Sequence, residues 1–237
     1  MIHRNDAVGP IVLAWPNAGD RGGTGGKAAG DDAAAGGMTG LISPSAEAKR
    51  QVFRDWRHWR GSTCEFLILR VLRKEHANLR VELHNLRTLA AASAERHHGN
   101  RPEIPIIGEL VEQLAAELAA HMDIEETTVF PVLLEVELAY VGEISVSTAP
   151  RGVGQLLKSM SEQHQRTRRT LTQLRRESND FRSASTDGFL DREFYAQMAS
   201  LDCGLRSDFR LENAVLFPRV AQMESELLRG SIGQRPA

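Results

Sequence analysis

The sequence predicts an all-α protein, an up-down-up-down four-helix bundle over residues 46–230, preceded by a disordered Gly/Ala-rich tail over residues 1–45. Three observations predict it. Four segments of roughly 25–40 residues carry apolar side chains at spacings of three and four, the seam of a bundle helix. Short polar loops holding Pro and Gly join them. Strand-like alternation is scarce, and Phe, Trp and Tyr make up only 5% of the chain.

In the tail, Gly19 to Gly40 is mostly Gly, Ala and Asp. Such a stretch buries too little apolar surface to offset its backbone entropy, so it is expected to be disordered. Within it, Gly22-Gly23-Thr24-Gly25-Gly26-Lys27 is not a phosphate-binding loop. Arg21 stands where the first glycine belongs, and Ala28 replaces the hydroxyl residue that would reach magnesium. Met38 offers an alternative start to the chain.

From Pro44 onward the pattern is helical. The first seam reads Leu69, Leu72, His76, Leu79, Leu83, Leu86 and Ala90, and Asn100-Arg101-Pro102 ends it. The second, starting near Pro105, reads Ile107, Val111, Leu114, Leu118, His121, Glu125, Thr128 and Val132. After the Gly142 to Gly154 connection comes Val153, Leu157, Met160, His164, Thr167, Leu171 and Leu174. The fourth follows Ser183 to Gly188, with Leu190, Phe194, Met198, Leu201, Leu205, Asp208, Glu212 and Val215.

What interrupts the seams carries the chemistry. His76, His121, Glu125, His164, Asp208 and Glu212 fall on the inward stripes. A buried, unpaired ion costs several kcal/mol, so six such groups in one core must neutralise one another or bind a cation. They also follow a duplication. His121-Met-Asp-Ile-Glu125-Glu-Thr-Thr-Val-Phe130-Pro131 aligns without a gap on Asp208-Phe-Arg-Leu-Glu212-Asn-Ala-Val-Leu-Phe217-Pro218, an offset of 87 residues. His76 and His164 lie 88 apart. Each half is therefore a helical hairpin, and two hairpins related by a pseudo-twofold axis bring two near-equivalent ligand sets together. A spacing of four puts His121 and Glu125 on one helix face, and Asp208 and Glu212 on another. Imidazole with carboxylate suits iron or manganese, and the lack of thiols argues against structural zinc. A lone His-x-x-x-Glu would mark only a solvated helix; a duplicated set on four facing seams points to metal. His84 is one position off its seam and is expected at the surface, as are His97 and His98 ahead of a loop.

Bulk properties narrow the classes further. The net charge of −2 and pI near 6.5 give no basic field for nucleic acid. The Arg166 to Arg176 arginines read as a solvated helix face. No apolar run approaches the ~18 residues of a spanning helix, and Ala7 to Trp15, broken by Pro10, does not read as a signal peptide. Cys64 and Cys203 lie far apart, in no zinc or disulfide spacing. A soluble, cytoplasmic protein without a membrane or nucleic-acid partner is expected.

These residues resemble the hemerythrin-like HHE bundle, and within it the RIC group of di-iron proteins implicated in repair of iron–sulfur centres. The resemblance runs from about Asp55-Trp56 to Arg219, through His76-Ala-Asn-Leu-Arg80-Val-Glu-Leu, His121-Met-Asp-Ile-Glu125-Glu and Leu211-Glu212-Asn213 to Leu216-Phe217-Pro218-Arg219. It implies His76, His121 and His164 as iron ligands and Glu125 and Glu212 as bridging carboxylates. Two non-haem irons, open to an oxo bridge, are the implied cofactor, with manganese second. The implied partners are a small ligand such as O2 or NO, or damaged iron–sulfur proteins, in a stress response. The alternatives are a reversible O2 or NO sensor or store, and a metal-depleted helical scaffold. Two departures stand out: Asp208 occupies the place of the family's fourth histidine, and no cysteine precedes Cys64, whereas RIC proteins usually carry an N-terminal cysteine pair.

Overall fold

The computed structural model describes residues 59, 61–97, 99–184 and 188–232, so the tail expected over residues 1–45 lies outside the described residues. The first helix is α1 (Cys64–Arg70), which passes through a π-helical turn (Val71–His76) into α2 (Ala77–His97). The second is α3 (Glu103–Ile124), a π turn (Glu125–Val129) and α4 (Phe130–Val141). A 3-10 turn (Val146–Thr148) leads to the third, α5 (Val153–Glu177), which is uninterrupted. The fourth is α6 (Phe189–Leu211), a π turn (Glu212–Leu216) and α7 (Phe217–Ile232). Each helix packs on its neighbours in chain order and the fourth returns to the first, with α6 against α2, as in an up-down-up-down bundle. No strand occurs among the described residues.

Local chemistry explains the ends. Thr63 caps α1, its hydroxyl accepting from the Phe66 N–H at 3.1 Å. From the adjacent α4, the Glu137 carboxylate accepts from the N–H groups of Cys64 (2.6 Å) and Glu65 (2.8 Å). That ties α1 to α4. Gly142 closes α4 in the left-handed region at φ 86°, where a side chain would be strained. After α5, Asn179, Asp180 and Phe181 all have positive φ. This turn swings Phe181 back into the core, with the Arg175 guanidinium over its ring at 4.9 Å.

The apolar core has two halves. One is built on Leu79, Leu83, Leu86, Leu114, Leu118, Phe194 and Leu205, the other on Leu67, Ile68, Val129, Phe130, Leu133, Met160 and Val220. Between them lies the layer that carries the polar seam residues.

The seams hold in the helix interiors but slip by one residue at the π turns. Leu69, Thr128 and Val132 were expected inside; Thr128 is exposed, and Leu69 and Val132 are only half-buried. Leu67, Ile68, Val129, Phe130 and Leu133 are buried in their place. An i→i+5 turn holds one residue more than an α turn, so the apolar stripe beyond it moves one position along the sequence. Leu190 is also half-buried, because Asp191 beside it faces inward. Asp191 accepts from Ser93 Oγ at 3.1 Å and pairs with His97 Nε2 at 2.9 Å. Burial pushes the Asp191 carboxyl up, but those two hydrogen bonds, with the charges of His97 and Arg96, together hold it below the usual range. His97, expected at the surface, is therefore half-buried and paired; His98 lies outside the described residues.

The slip is testable in the metal-free protein by urea unfolding. Leu133→Ala should cost about 2–5 kcal/mol and Val132→Ala about 1 kcal/mol or less. A helix of uniform pitch through Glu125 reverses that ranking.

Candidate metal centre

Four helices bring five ionisable side chains into one buried layer: His76, His121, Glu125, His164 and Glu212, none more than 4% exposed. Three of the four helices carry a π turn where they meet this layer; His76 ends one, and Glu125 and Glu212 each begin one. The wider turn leaves an unusual gap in the backbone hydrogen-bond ladder, a feature common where a helix presents ligands.

The two hairpins are closely matched. His76 Nε2 lies 3.1 Å from Glu125 Oε2, and His164 Nε2 lies 3.1 Å from Glu212 Oε2. Phe130 stacks on His76 at 5.9 Å between centroids, and Phe217 on His164 at 6.0 Å. His76 Nδ1 meets Glu126 Oε1 at 2.7 Å, and His164 Nδ1 meets Asn213 Nδ2 at 2.7 Å. The match breaks beside Asp208: Phe209 stacks on His164 at 4.1 Å and meets His121 edge-on at 5.6 Å.

His121, Glu125, His164 and Glu212 each offer a donor atom, and all four atoms lie within 4.8 Å of one another. Four buried polar atoms of these same residues have no hydrogen-bond partner: His121 Nδ1, Glu125 Oε1, His164 Nε2 and Glu212 Oε2. The last two approach each other, but not in hydrogen-bonding alignment. Leaving such a group unsatisfied costs roughly 1–3 kcal/mol each, more when charged. A divalent cation among them would satisfy the convergent donors at once. The chemistry and convergence of these donors fit such an ion.

Electrostatics point the same way. Burial, then the charges of Glu212, Glu126 and Asp208, push the Glu125 carboxyl well above its ordinary range. Burial also opposes ionisation of Glu212, but the close approach and charge of His164, with the charges of His121 and His76, keep its carboxyl below that range. Burial pushes His121 down to about 4; Glu212 works against this, while His164 and His76 reinforce it. A neutral imidazole is the form that ligates metal. Thiolate ligation does not enter: Cys64 is buried near Glu137, and burial followed by that carboxylate pushes its thiol up to about 12.

Asp208 departs from expectation. It is half-buried and is not one of the four convergent residues, although its charge reaches Glu125. A carboxylate on one methylene is shorter than an imidazole, so from the same backbone position it ends nearer its own helix. His76 is also outside the group of four, yet it is buried against Glu125. His84 is exposed, as its position off the seam predicts.

Sequence reasoning passed over Arg80, Glu126, Ser161 and Asn213. Arg80 Nη2 donates to both oxygens of Glu126 at 2.9 and 3.0 Å, and Ser161 Oγ donates to Asn213 Oδ1 at 3.0 Å. The signal was present: the 87-residue offset pairs Glu126 with Asn213, each directly after its glutamate.

Residues 67–147 match the family model of the hemerythrin HHE cation binding domain. Over that span the chain is similar to the hemerythrin domain. The matched span contains His76, His121 and Glu125. The chain is 24% identical over 165 residues to a Haemophilus influenzae protein named "Probable iron-sulfur cluster repair protein", covering 69% of this chain and 68% of that one. It is 26% identical over 164 residues to "Iron-sulfur cluster repair protein YtfE" of Escherichia coli O157:H7, covering 69% of each.

His121 gives a pH prediction for the metal-free protein. Its folded value near 4 lies below the ordinary 6.5, so the unfolded chain binds more protons between those limits. Its contribution to stability is therefore lost as pH falls through that window. Urea midpoints of chelated protein, compared from about pH 7 to about pH 5, should fall more steeply for wild type than for His121→Asn.

Proposed function

We propose that the bundle binds two non-haem iron ions and works in the cytoplasm in repair of iron–sulfur centres under nitric oxide or oxidative stress. The observation that supports it most is the set of four partnerless polar atoms contributed by four convergent buried residues. His76, His121, Glu125, His164 and Glu212 would hold the metal, with Asp208 completing the set. Imidazole and carboxylate oxygen are the donors that iron and manganese accept, and no thiolate competes. The repair role rests on the two relatives whose names carry it. No helix among the described residues is long and apolar enough to cross a membrane.

Bound iron would supply electron transfer and an open coordination position for a small ligand. The protein's own part is to hold the donors and keep water from the layer. Phe130, Phe209 and Phe217, all buried, wall the histidines. A single tightly held ion is the second reading, favoured by the position of Asp208 outside the convergent four.

Metal analysis with electronic spectra of native protein separates these readings. Two equivalents of iron per chain support the proposal, one supports the second reading, and a value far below one removes both. Metal should also raise the melting temperature by mass action, with about 2.7 kcal/mol gained at a hundredfold excess over Kd. Chelation should reverse the gain, and Glu125→Ala with Glu212→Ala should abolish it. Asp208→His should raise iron retention if position 208 limits the second ion; full occupancy in wild type and no change in the variant shows that aspartate ligates adequately.

A further inference from the structure

We infer that Glu126, held by Arg80, is a positioning residue that fixes the ligating form of His76, and that Asn213 holds His164 in the opposite form, so the two halves are unequally prepared for metal. This rests on the metal-centre reading above.

Each lone histidine presents Nε2 to the glutamate of its own hairpin and Nδ1 to the residue that follows that glutamate. In the first hairpin that residue is a carboxylate. Glu126 can only accept, and both its oxygens are already turned toward Arg80. The 2.7 Å contact therefore requires the proton on His76 Nδ1. With Nδ1 occupied, the Nε2 lone pair is the one available to a cation on the Glu125 side. A carboxylate behind a histidine also raises its basicity as a ligand.

In the second hairpin the equivalent residue is an amide, and its orientation is set by its neighbours. Asn213 Nδ2 lies 2.6 Å from the Phe209 carbonyl oxygen, which can only accept, and Asn213 Oδ1 accepts from Ser161. The nitrogen must therefore face Phe209, and the same nitrogen is 2.7 Å from His164 Nδ1. His164 Nδ1 is then an acceptor, and its proton sits on Nε2, the atom that points at Glu212. For His164 to ligate through Nε2, that proton must move and the Asn213 amide must turn. A duplicated, nearly symmetric bundle thus has one imidazole ready for metal and one that must rearrange.

Two measurements test this. In 15N-labelled, metal-free wild type, long-range imidazole spectra should show His76 protonated at Nδ1 and His164 protonated at Nε2. A His76 ring with a bare Nδ1 overturns the inference whatever the protein binds. The second is titration of wild type, Glu126→Gln and Arg80→Gln with Fe(II) or Co(II), using Asp123→Asn as an exposed control. Glu126→Gln should lose about 10–100-fold in affinity and shift the Co(II) ligand-field bands, with Arg80→Gln changing in the same direction by less. Melting of the metal-free variants should match wild type, which separates positioning from folding. Affinity of Glu126→Gln within about twofold of wild type overturns the inference and leaves the metal reading standing. Wild type that takes no cation overturns both.

Discussion

The structure depends on one constraint: three imidazoles and two carboxylates occupy a single layer inside a four-helix core, out of reach of water. Apolar packing above and below supplies the stability of the bundle, and the layer is tolerated between those halves. Nothing in apolar packing requires these groups there. Their mutual distances, their partnerless atoms and the opposed behaviour of Glu125 and Glu212 all follow from crowding charge into a place of low polarity.

The backbone bends to the same requirement. A helix of uniform pitch presents one residue per turn to the axis of a bundle, whereas the layer needs ligands at a set depth with phenyl rings immediately behind them. The π turns at Glu125–Val129 and Glu212–Leu216 meet that need at equivalent places in the two hairpins. Each puts a glutamate at its start and brings a phenylalanine five residues on, which stacks on the histidine of its own hairpin. The first helix has its own π turn before His76, while α5 reaches His164 without one. The duplication is thus preserved where carboxylate and phenyl ring must meet and relaxed where a lone histidine is delivered.

Departures from symmetry concentrate around position 208. The first hairpin has a buried His121 there and Glu126 behind His76; the second has the half-buried Asp208 and the neutral Asn213 behind His164. Phe209 fills the space beside the shorter aspartate and packs against both His121 and His164.

Much of this was legible in the chain. The bundle followed from four apolar seams, and the candidate ligands followed from polar residues that an apolar stripe should not contain. The pairing of halves followed from an offset held between 121 and 208. The π turns are not legible, because nothing in Glu125 to Val129 distinguishes a five-residue step from a four-residue one, so periodicity alone puts Thr128 and Val132 inward. Spacing alone puts His97 at the surface, because its partner, Asp191, is far away in the sequence.

The sequence by itself determined periodicity and repetition, since both are properties of spacing along one chain. Only the tertiary structure decided which donors converge, how far Asp208 reaches, and which nitrogen of each histidine is held. Those depend on distances of a few ångströms between helices that share no local signal. Burial removes the water that would otherwise make such differences small.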